Sequence, residues 1–238
     1  MTERLFLQDA YAREAQARVV LAGPAGVVLD RTPFYPRAGG QPGDAGALRW
    51  EGGAVLVVDT VKGEDGAVLH LPAPSTALPS PGMSVTAALD WPRRHALMRM
   101  HTALHLLCSL LPGAAVTGGQ VGAERSRLDL DLPAPPAREA LDEGLRALVA
   151  AAHPVAAYLV DEAVLDADPG LVRTLSVRPP RGAGRVRLVR IGPEASPVDL
   201  QPCGGTHVAS TAEIGAVHVA RIENKGRQNR RITLAFAE

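Results

Sequence analysis

The chain is poor in several things at once. Only 3% of its 238 residues are aromatic, and it has two cysteines, Cys108 and Cys203. Two cysteines cannot build a disulfide framework. The opening residues, MTERLFLQDA, lack the basic start and apolar run of a secretory signal. In such a chain a thiol or metal-ligand role is expected for cysteine rather than a bridge. No apolar stretch approaches the ~18 residues of a membrane span. Net charge is zero, with 25 basic and 25 acidic residues. These absences argue against a secreted disulfide scaffold and a helical membrane protein. The expectation is a soluble, cytoplasmic, folded protein with no obligate protein partner evident, long enough for two domains.

Zero net charge hides an uneven distribution. From Leu171 to Pro193 there are six arginines (Arg173, Arg178, Arg181, Arg185, Arg187 and Arg190) and no acid. A second basic run holds Arg221, Lys225, Arg227, Arg230 and Arg231, with Glu223 the one acid among them. Such tracts are either solvated strand faces or a surface for phosphates, whose oxygens suit arginine forks. Charge by itself does not choose.

Residues 1–90 read as a β-rich domain. Short apolar runs at Arg18–Leu21, Val27–Leu29, Ala54–Val61, Ala67–Leu71 and Ser84–Leu89 are separated by Gly- and Pro-rich turns, which suggests a small barrel or sandwich. Residues 91–238 read as α+β. Asp90 can cap a helix over Pro92–Leu111, on which Leu97, His101, Leu104, Cys108 and Leu111 recur at helical spacing. A second amphipathic helix is predicted over Pro136–Ala152, and a short one after Asp161. Extended segments are predicted at Val116–Gly122, Arg125–Leu130, Val155–Val160, Arg185–Ile191, Ile214–Ile222 and Arg231–Phe236.

The chemistry-bearing residues form two pairs. His101 and His105 stand four apart, on one helix face, where both imidazoles can share an ion. Far downstream, Cys203 and His207 bracket two glycines in CGGTH, and the glycines let the backbone turn so that both side chains face one point. Two imidazoles buried side by side are costly unless something uses their lone pairs. Together the four make an N/S set suited to tetrahedral zinc. Cys108, one turn beyond His105, is a rival ligand, but it reads better as a small buried hydrophobe. No His-Glu-x-x-His places a glutamate base between the histidines. Whether such a zinc is structural or catalytic stays open on ligand count.

These stretches resemble a known family. MRMHTALHLL (98–107) and PCGGTHV (202–208) are similar to the two zinc motifs of the alanyl-tRNA synthetase editing domain. TPFYPRAGGQPGD (32–44) resembles that family's glycine-rich motif. VTGGQVGAERSRLDLD (116–131) resembles the segment after the first zinc helix, and STAEIGAVHVARIENKGRQNRRI (210–232) the closing strand and basic tail. The blocks fall in the family's order, and the chain is too short to add an aminoacylation domain. The resemblance is therefore to the free-standing alanyl-tRNA editing proteins, of the longer kind that keeps the N-terminal barrel. Two positions depart from the family pattern: Leu104 stands where a threonine is common, and Asp199-Leu200-Gln201-Pro202 stands where many members have an acidic residue and a leucine before the cysteine.

The resemblance implies a translation-protein-like β-barrel followed by the α+β editing domain, with an antiparallel sheet, that threonyl- and alanyl-tRNA synthetases share. It implies a zinc-dependent aminoacyl-tRNA deacylase. Its substrate would be tRNA(Ala) mischarged with serine, or with glycine, hydrolysed in trans. One Zn2+ would be held by His101, His105, Cys203 and His207. Thr32 and Gln120 match polar pocket positions, with Gly39, Gly40 and Gln41 forming a backbone turn beside the site. A tRNA substrate favours Arg181, Arg185, Lys225, Arg227, Arg230 and Arg231 as phosphate contacts. With so few aromatics, base stacking is a minor expectation. The rival readings are a tRNA-binding module with a purely structural zinc, and a deacylase for another mischarged tRNA such as Ser-tRNA(Thr).

Overall fold

A computed structural model describes residues 1–175, 182 and 184–237. Its strands in chain order are β1 (Glu3–Arg4), β2 (Glu14–Gly23), β3 (Gly26–Leu29), β4 (Arg31–Thr32), β5 (Gly46–Trp50), β6 (Gly53–Lys62), β7 (Val68–Pro72), β8 (Ser84–Leu89), β9 (Ala115–Gln120), β10 (Arg125–Asp131), β11 (Val155–Asp161), β12 (Arg185–Ile191), β13 (Asp199–Pro202), β14 (Val217–Asn224) and β15 (Asn229–Phe236). The α-helices are α1 (Trp91–Ser109), α2 (Arg138–Ala150) and the single turn α3 (Val164–Ala167). The chain divides into two compact units, Met1–Leu97 and Met98–Glu238, and the division falls inside α1.

The first unit is a closed barrel of six strands in the order β2-β3-β7-β6-β5-β8, with every neighbouring pair antiparallel. Closure leaves no open sheet edge. Alternation decides what points inward. On β2, Ala17 and Val19 are buried while Gln16 and Arg18 are exposed; on β6, Val55 and Val57 are buried between exposed Ala54, Leu56 and Val58. With Val27, Leu29, Phe34, Leu48, Val85 and Ala87 they fill the barrel, each larger side chain contributing roughly 2 kcal/mol. Register shifts at Val19/Leu21 and Val57/Asp59 bend the two long strands into closure. The sequence pattern missed β5. Gly46 and Ala47 offer no apolar alternation, and Leu48 alone of its residues is fully buried.

The 32–44 segment packs into this barrel as a loop. Gly39 and Gly40 have φ of 54° and 81°. Ala38 and Gln41 exchange backbone bonds of 3.1 and 2.9 Å across them, the two-residue hairpin turn that needs positive φ at both central positions. At the end of the loop the Asp44 carboxylate accepts from the Tyr35 N–H at 2.6 Å and from Arg94 Nε at 2.9 Å and Nη2. Arg94 also donates to Pro33 O at 2.7 Å and Ala10 O at 3.1 Å. Both side chains are essentially unexposed, 0% and 1%, so this is a buried ion pair with its remaining polar atoms bonded.

The second unit carries two antiparallel sheets. One has the order β14-β15-β10-β9, the other β11-β12-β13. Asp90 Oδ1 accepts the Arg93 N–H at 3.2 Å at the start of α1, as a capping residue should. Beyond the unit division, Met98, Met100, Leu104, Leu106 and Leu107 of α1 are buried. The edge strand β14 is guarded by α2. At its register shift Val219 donates to Asp142 Oδ1 at 2.6 Å, and Arg138 Nη2 donates to the carbonyls of Val219 and Ala220. Side chains thus occupy edge groups that could otherwise pair with another strand. Ile214 lies in a 3₁₀ turn over Thr211–Ile214, ahead of the strand predicted to include it. The Ser210–Glu213 capping box fixes that turn. Strand β13 was not predicted, because Gln201 and Pro202 interrupt its short pattern.

Candidate metal centre

Four side chains of the second unit meet. His101 and His105 are presented by one face of α1. β13 pairs with β12 and delivers the chain to Cys203, and the glycines at 204 and 205 turn it back to His207. The ligand atoms of His101, His105, Cys203 and His207 all lie within 4.8 Å of one another. Cys203 Sγ stands 3.6 Å from His101 Nε2 and 3.3 Å from His207 Nε2. The edges of a tetrahedron built from metal bonds of about 2.0–2.3 Å are about 3.3–3.7 Å; both sulfur–nitrogen separations fall in that range, and the chemistry of the N/S donor set suits one tetrahedral ion. The expected ligand set is thus brought together in space, and Cys108 stands outside it. Burial, with the charge of Asp199, pushes the Cys108 thiol up to about 12, which makes it an inert buried hydrophobe.

The surroundings fix each group. Arg187 Nη1 donates to Cys203 O at 2.7 Å and Gly205 O at 2.9 Å, and Cys203 N–H donates to Arg187 O at 3.1 Å. This arginine, read from sequence as part of a basic tract, clamps the CGG turn. His105 Nδ1 lies 2.8 Å from Asp199 Oδ2. A carboxylate only accepts, so Nδ1 carries a proton and Nε2 is the nitrogen left for the centre. Gln201 Nε2 donates to the same oxygen at 2.9 Å. Thr102 Oγ1 donates to Met98 O at 2.9 Å. Having given its proton, it accepts from His207 Nδ1 at 3.1 Å and from Val208 N–H at 3.3 Å. His207 therefore keeps its Nε2 lone pair for the centre.

Electrostatics separate the two imidazoles. Burial lowers His105, but the hydrogen bonds to Asp199 and Cys203 and the charges of both raise it to about 10, so without a cation its Nε2 also carries a proton, which a bound ion would displace. Burial, and then the neighbouring His101, hold His207 down to about 3. Burial opposes ionisation of Cys203, yet His101 and His207 pull its thiol well below the ordinary range. A thiolate among imidazole nitrogens is a cation site. Asp199, Gln201, Thr102 and Arg187 were not singled out from sequence as site residues. The departure at Asp199-Leu200-Gln201 was noted, but only the β12–β13 pairing shows that alternate residues 199 and 201 face His105.

Residues 186–233 match the family described as "Threonyl and Alanyl tRNA synthetase second additional domain", and residues 6–93 match "tRNA synthetases class II (A)". The alanyl-tRNA editing protein AlaX-M of Methanosarcina acetivorans is 36% identical over 249 residues, covering 98% of each chain. The chain belongs to the AlaX-M family. The AlaX-M protein of Methanosarcina barkeri is 36% identical over 254 residues and covers 100% of both chains. The alanine–tRNA ligase of Pyrobaculum arsenaticum is 36% identical over 231 residues, 93% of this chain, of which the chain spans only 25%.

Other residues marked by the AlaX-M resemblance lie as follows. Thr32 is fully buried in the first unit, its Oγ1 2.8 Å from His70 Nε2 and 3.1 Å from the Phe34 N–H. His70 Nδ1 lies 2.9 Å from the Val27 carbonyl and donates to it, so Thr32 donates its proton to Nε2. Gln41 is buried beside the Gly39-Gly40 turn. Gln120 is exposed at the end of β9. Its Oε1 accepts from Arg127 Nε at 3.3 Å, which turns its amide NH2 outward as a donor. Arg127 also donates to Asp129 at 2.7 Å, and Arg231 grips Asp129 with bonds of 2.7 and 2.9 Å.

Among the basic residues, Arg185 and Arg227 are exposed, and Lys225 pairs with Glu223 at 3.1 Å. Arg230 departs from the phosphate-contact expectation. It is buried, and its guanidinium donates to Asn224 Oδ1, Gly226 O and Pro133 O at 2.8–2.9 Å, which makes it the pin of the β14–β15 turn. Arg231 is similarly held by Asp129. Arg181 lies outside the described residues. Among the described residues no helix is long and apolar enough to cross a membrane.

Proposed function

We propose that this protein is a trans-editing aminoacyl-tRNA deacylase that hydrolyses the ester of tRNA(Ala) mischarged with serine, and with glycine as a further substrate. The observation that carries this reading is the convergence of His101, His105, Cys203 and His207, in a chain whose AlaX-M relatives match it from end to end. The ion is proposed to be one Zn2+, which when bound supplies Lewis-acid polarisation and a positive charge beside the ester. The chain's own part is orientation. Arg187 holds the cysteine turn, and Asp199 and Thr102 hold the two imidazoles with Nε2 facing inward.

Thr32, with Gly39, Gly40 and Gln41 of its loop, and Gln120 are assigned to substrate recognition on the motif resemblance. The hydrogen bonds define what each can do. Thr32 is fully buried, and its hydroxyl donates to His70 and accepts the Phe34 N–H, so its part would be to hold the loop that carries Gly39, Gly40 and Gln41. Gln120 offers N–H donors to an ester or hydroxyl oxygen. A group that bonds the serine hydroxyl is left unpaired by alanine, which favours destruction of serine esters and sparing of alanine esters. Arg185, Lys225 and Arg227 are the exposed cations assigned to tRNA phosphates. The reading extends to a translation-protein type for the barrel, a division of labour between residues 1–90 and 91–238, and a cytoplasmic setting.

A deacylation assay on seryl- and alanyl-tRNA(Ala), with and without chelator, tests this. Rapid loss of the serine ester, a spared alanine ester and sensitivity to chelation are expected. One observation favours a second reading: four protein donors can close a tetrahedron, as structural zinc sites do. On that reading the chain binds tRNA without turnover and unfolds on chelation. Equal turnover of seryl-tRNA(Thr) would redirect the specificity.

A further inference from the structure

The two imidazoles fixed through Nδ1 are not fixed alike. His105 is backed by the carboxylate of Asp199, whose side chain is 0% exposed. His207 is backed by the neutral hydroxyl of Thr102, which also accepts the Val208 N–H. A carboxylate behind an imidazole makes its far nitrogen a better electron-pair donor; a hydroxyl that shares its lone pairs does far less. Charge points the same way. A divalent ion with the Cys203 thiolate keeps one excess positive charge, and the Asp199 carboxylate, one imidazole away, cancels it inside a low-dielectric interior. Among the described residues Asp199 Oδ1 has no hydrogen-bond partner, and Arg173 Nη1 is 4.0 Å away. The carboxylate is thus held by few groups other than His105 and Gln201.

From this asymmetry we propose that Asp199 is a positioning residue that makes His105 the anchoring ligand of the bound cation, and that the Thr102-backed His207 is its exchangeable ligand. The inference rests on the proposed metal binding and deepens it. It names which of the two backed imidazoles yields first when a substrate oxygen or amine needs a place on the ion. The ranking concerns the chain's affinity for the ion alone, so it can be read without any turnover.

The test is competition for Zn2+ against a colorimetric chelator, with Co2+ substitution to read the thiolate-to-metal absorption. D199N, isosteric but uncharged, is expected to weaken zinc binding about 10- to 100-fold. D199E should recover part of that loss. T102V should cost less than D199N, and H105A should lose the ion at chelator concentrations where H207A still holds it. Where D199N does not fold, the H105A and H207A pair carries the ranking, with H105A expected to be the more damaging change. A wild-type protein that takes up no zinc ends both the metal reading and this ranking. Wild-type zinc binding with D199N within twofold of it, or with T102V or H207A the more damaging change of its pair, ends the ranking and leaves the metal reading standing.

Discussion

The two units treat buried polar groups in opposite ways. In the barrel unit, Arg94 and Asp44 neutralise each other, and backbone partners take up their further donors and acceptors. Thr32, His70 and Val27 likewise form a chain in which every proton has one acceptor. In the second unit, the cluster around Cys203 is braced from outside by Asp199, Thr102 and Arg187. Its inner atoms, a thiolate and imidazole nitrogens drawn together within 4.8 Å, are groups that can each give an electron pair to one ion. A closed polar network holds a fold together; a network closed on one side and made of like donors on the other is built to bind a cation.

The comparison can be broken most forcefully at its open side. Cys203→Ala or His105→Ala is expected to lower deacylation of seryl-tRNA(Ala) by ~100-fold or more, since a ligand matters more than a residue behind it. Zinc content measured on the same preparations must fall with it. A folded, zinc-free variant with full activity removes the metal from the reaction.

The closed side should respond in stability instead. Asp44→Asn leaves Arg94 buried without its counter-charge and is expected to cost about 3–5 kcal/mol. Urea unfolding measures this, and zinc affinity of the folded fraction should be unchanged.

A third, smaller effect is pH-dependent. Burial holds His70 down to about 4 against an ordinary 6.5, with the bond to Val27 opposing only in part. A depressed histidine binds fewer protons folded than unfolded. The stability tied to its neutral form is therefore complete above about pH 6.5 and is lost as pH falls toward about 4, roughly 3 kcal/mol at most. His70→Asn should flatten that part of the stability–pH curve; an unchanged slope would show that the ring titrates normally.

The smallest effect belongs to the surface. Arg227→Ala is expected to weaken tRNA binding only a few-fold and to reduce the salt slope by about one. Arg230→Ala should act through stability instead, because its guanidinium holds the hairpin turn.

Much of the site was legible because its determinants are local. His-x₃-His on a helical pattern and Cys-Gly-Gly-x-His in a turn carry their geometry within a few residues. The glycine pair at 39 and 40 declared its turn for the same reason. The supporting residues were not legible. Asp199 reaches His105 across 94 positions of sequence and Arg94 reaches Asp44 across 50. Arg187 and Arg230 looked like members of basic tracts until burial showed them bonded to carbonyls.

Residue type and short-range spacing determined the candidate donor set, the β-rich character of the first domain, the helix α1 and the family resemblance, because each depends on periodicity or on a turn a few residues long. Tertiary structure alone decided which arginines are structural, which proton each buried histidine carries, and which imidazole is backed by a charge. Those depend on hydrogen bonds between segments remote in sequence, and a bond between remote groups exists only once the chain has packed.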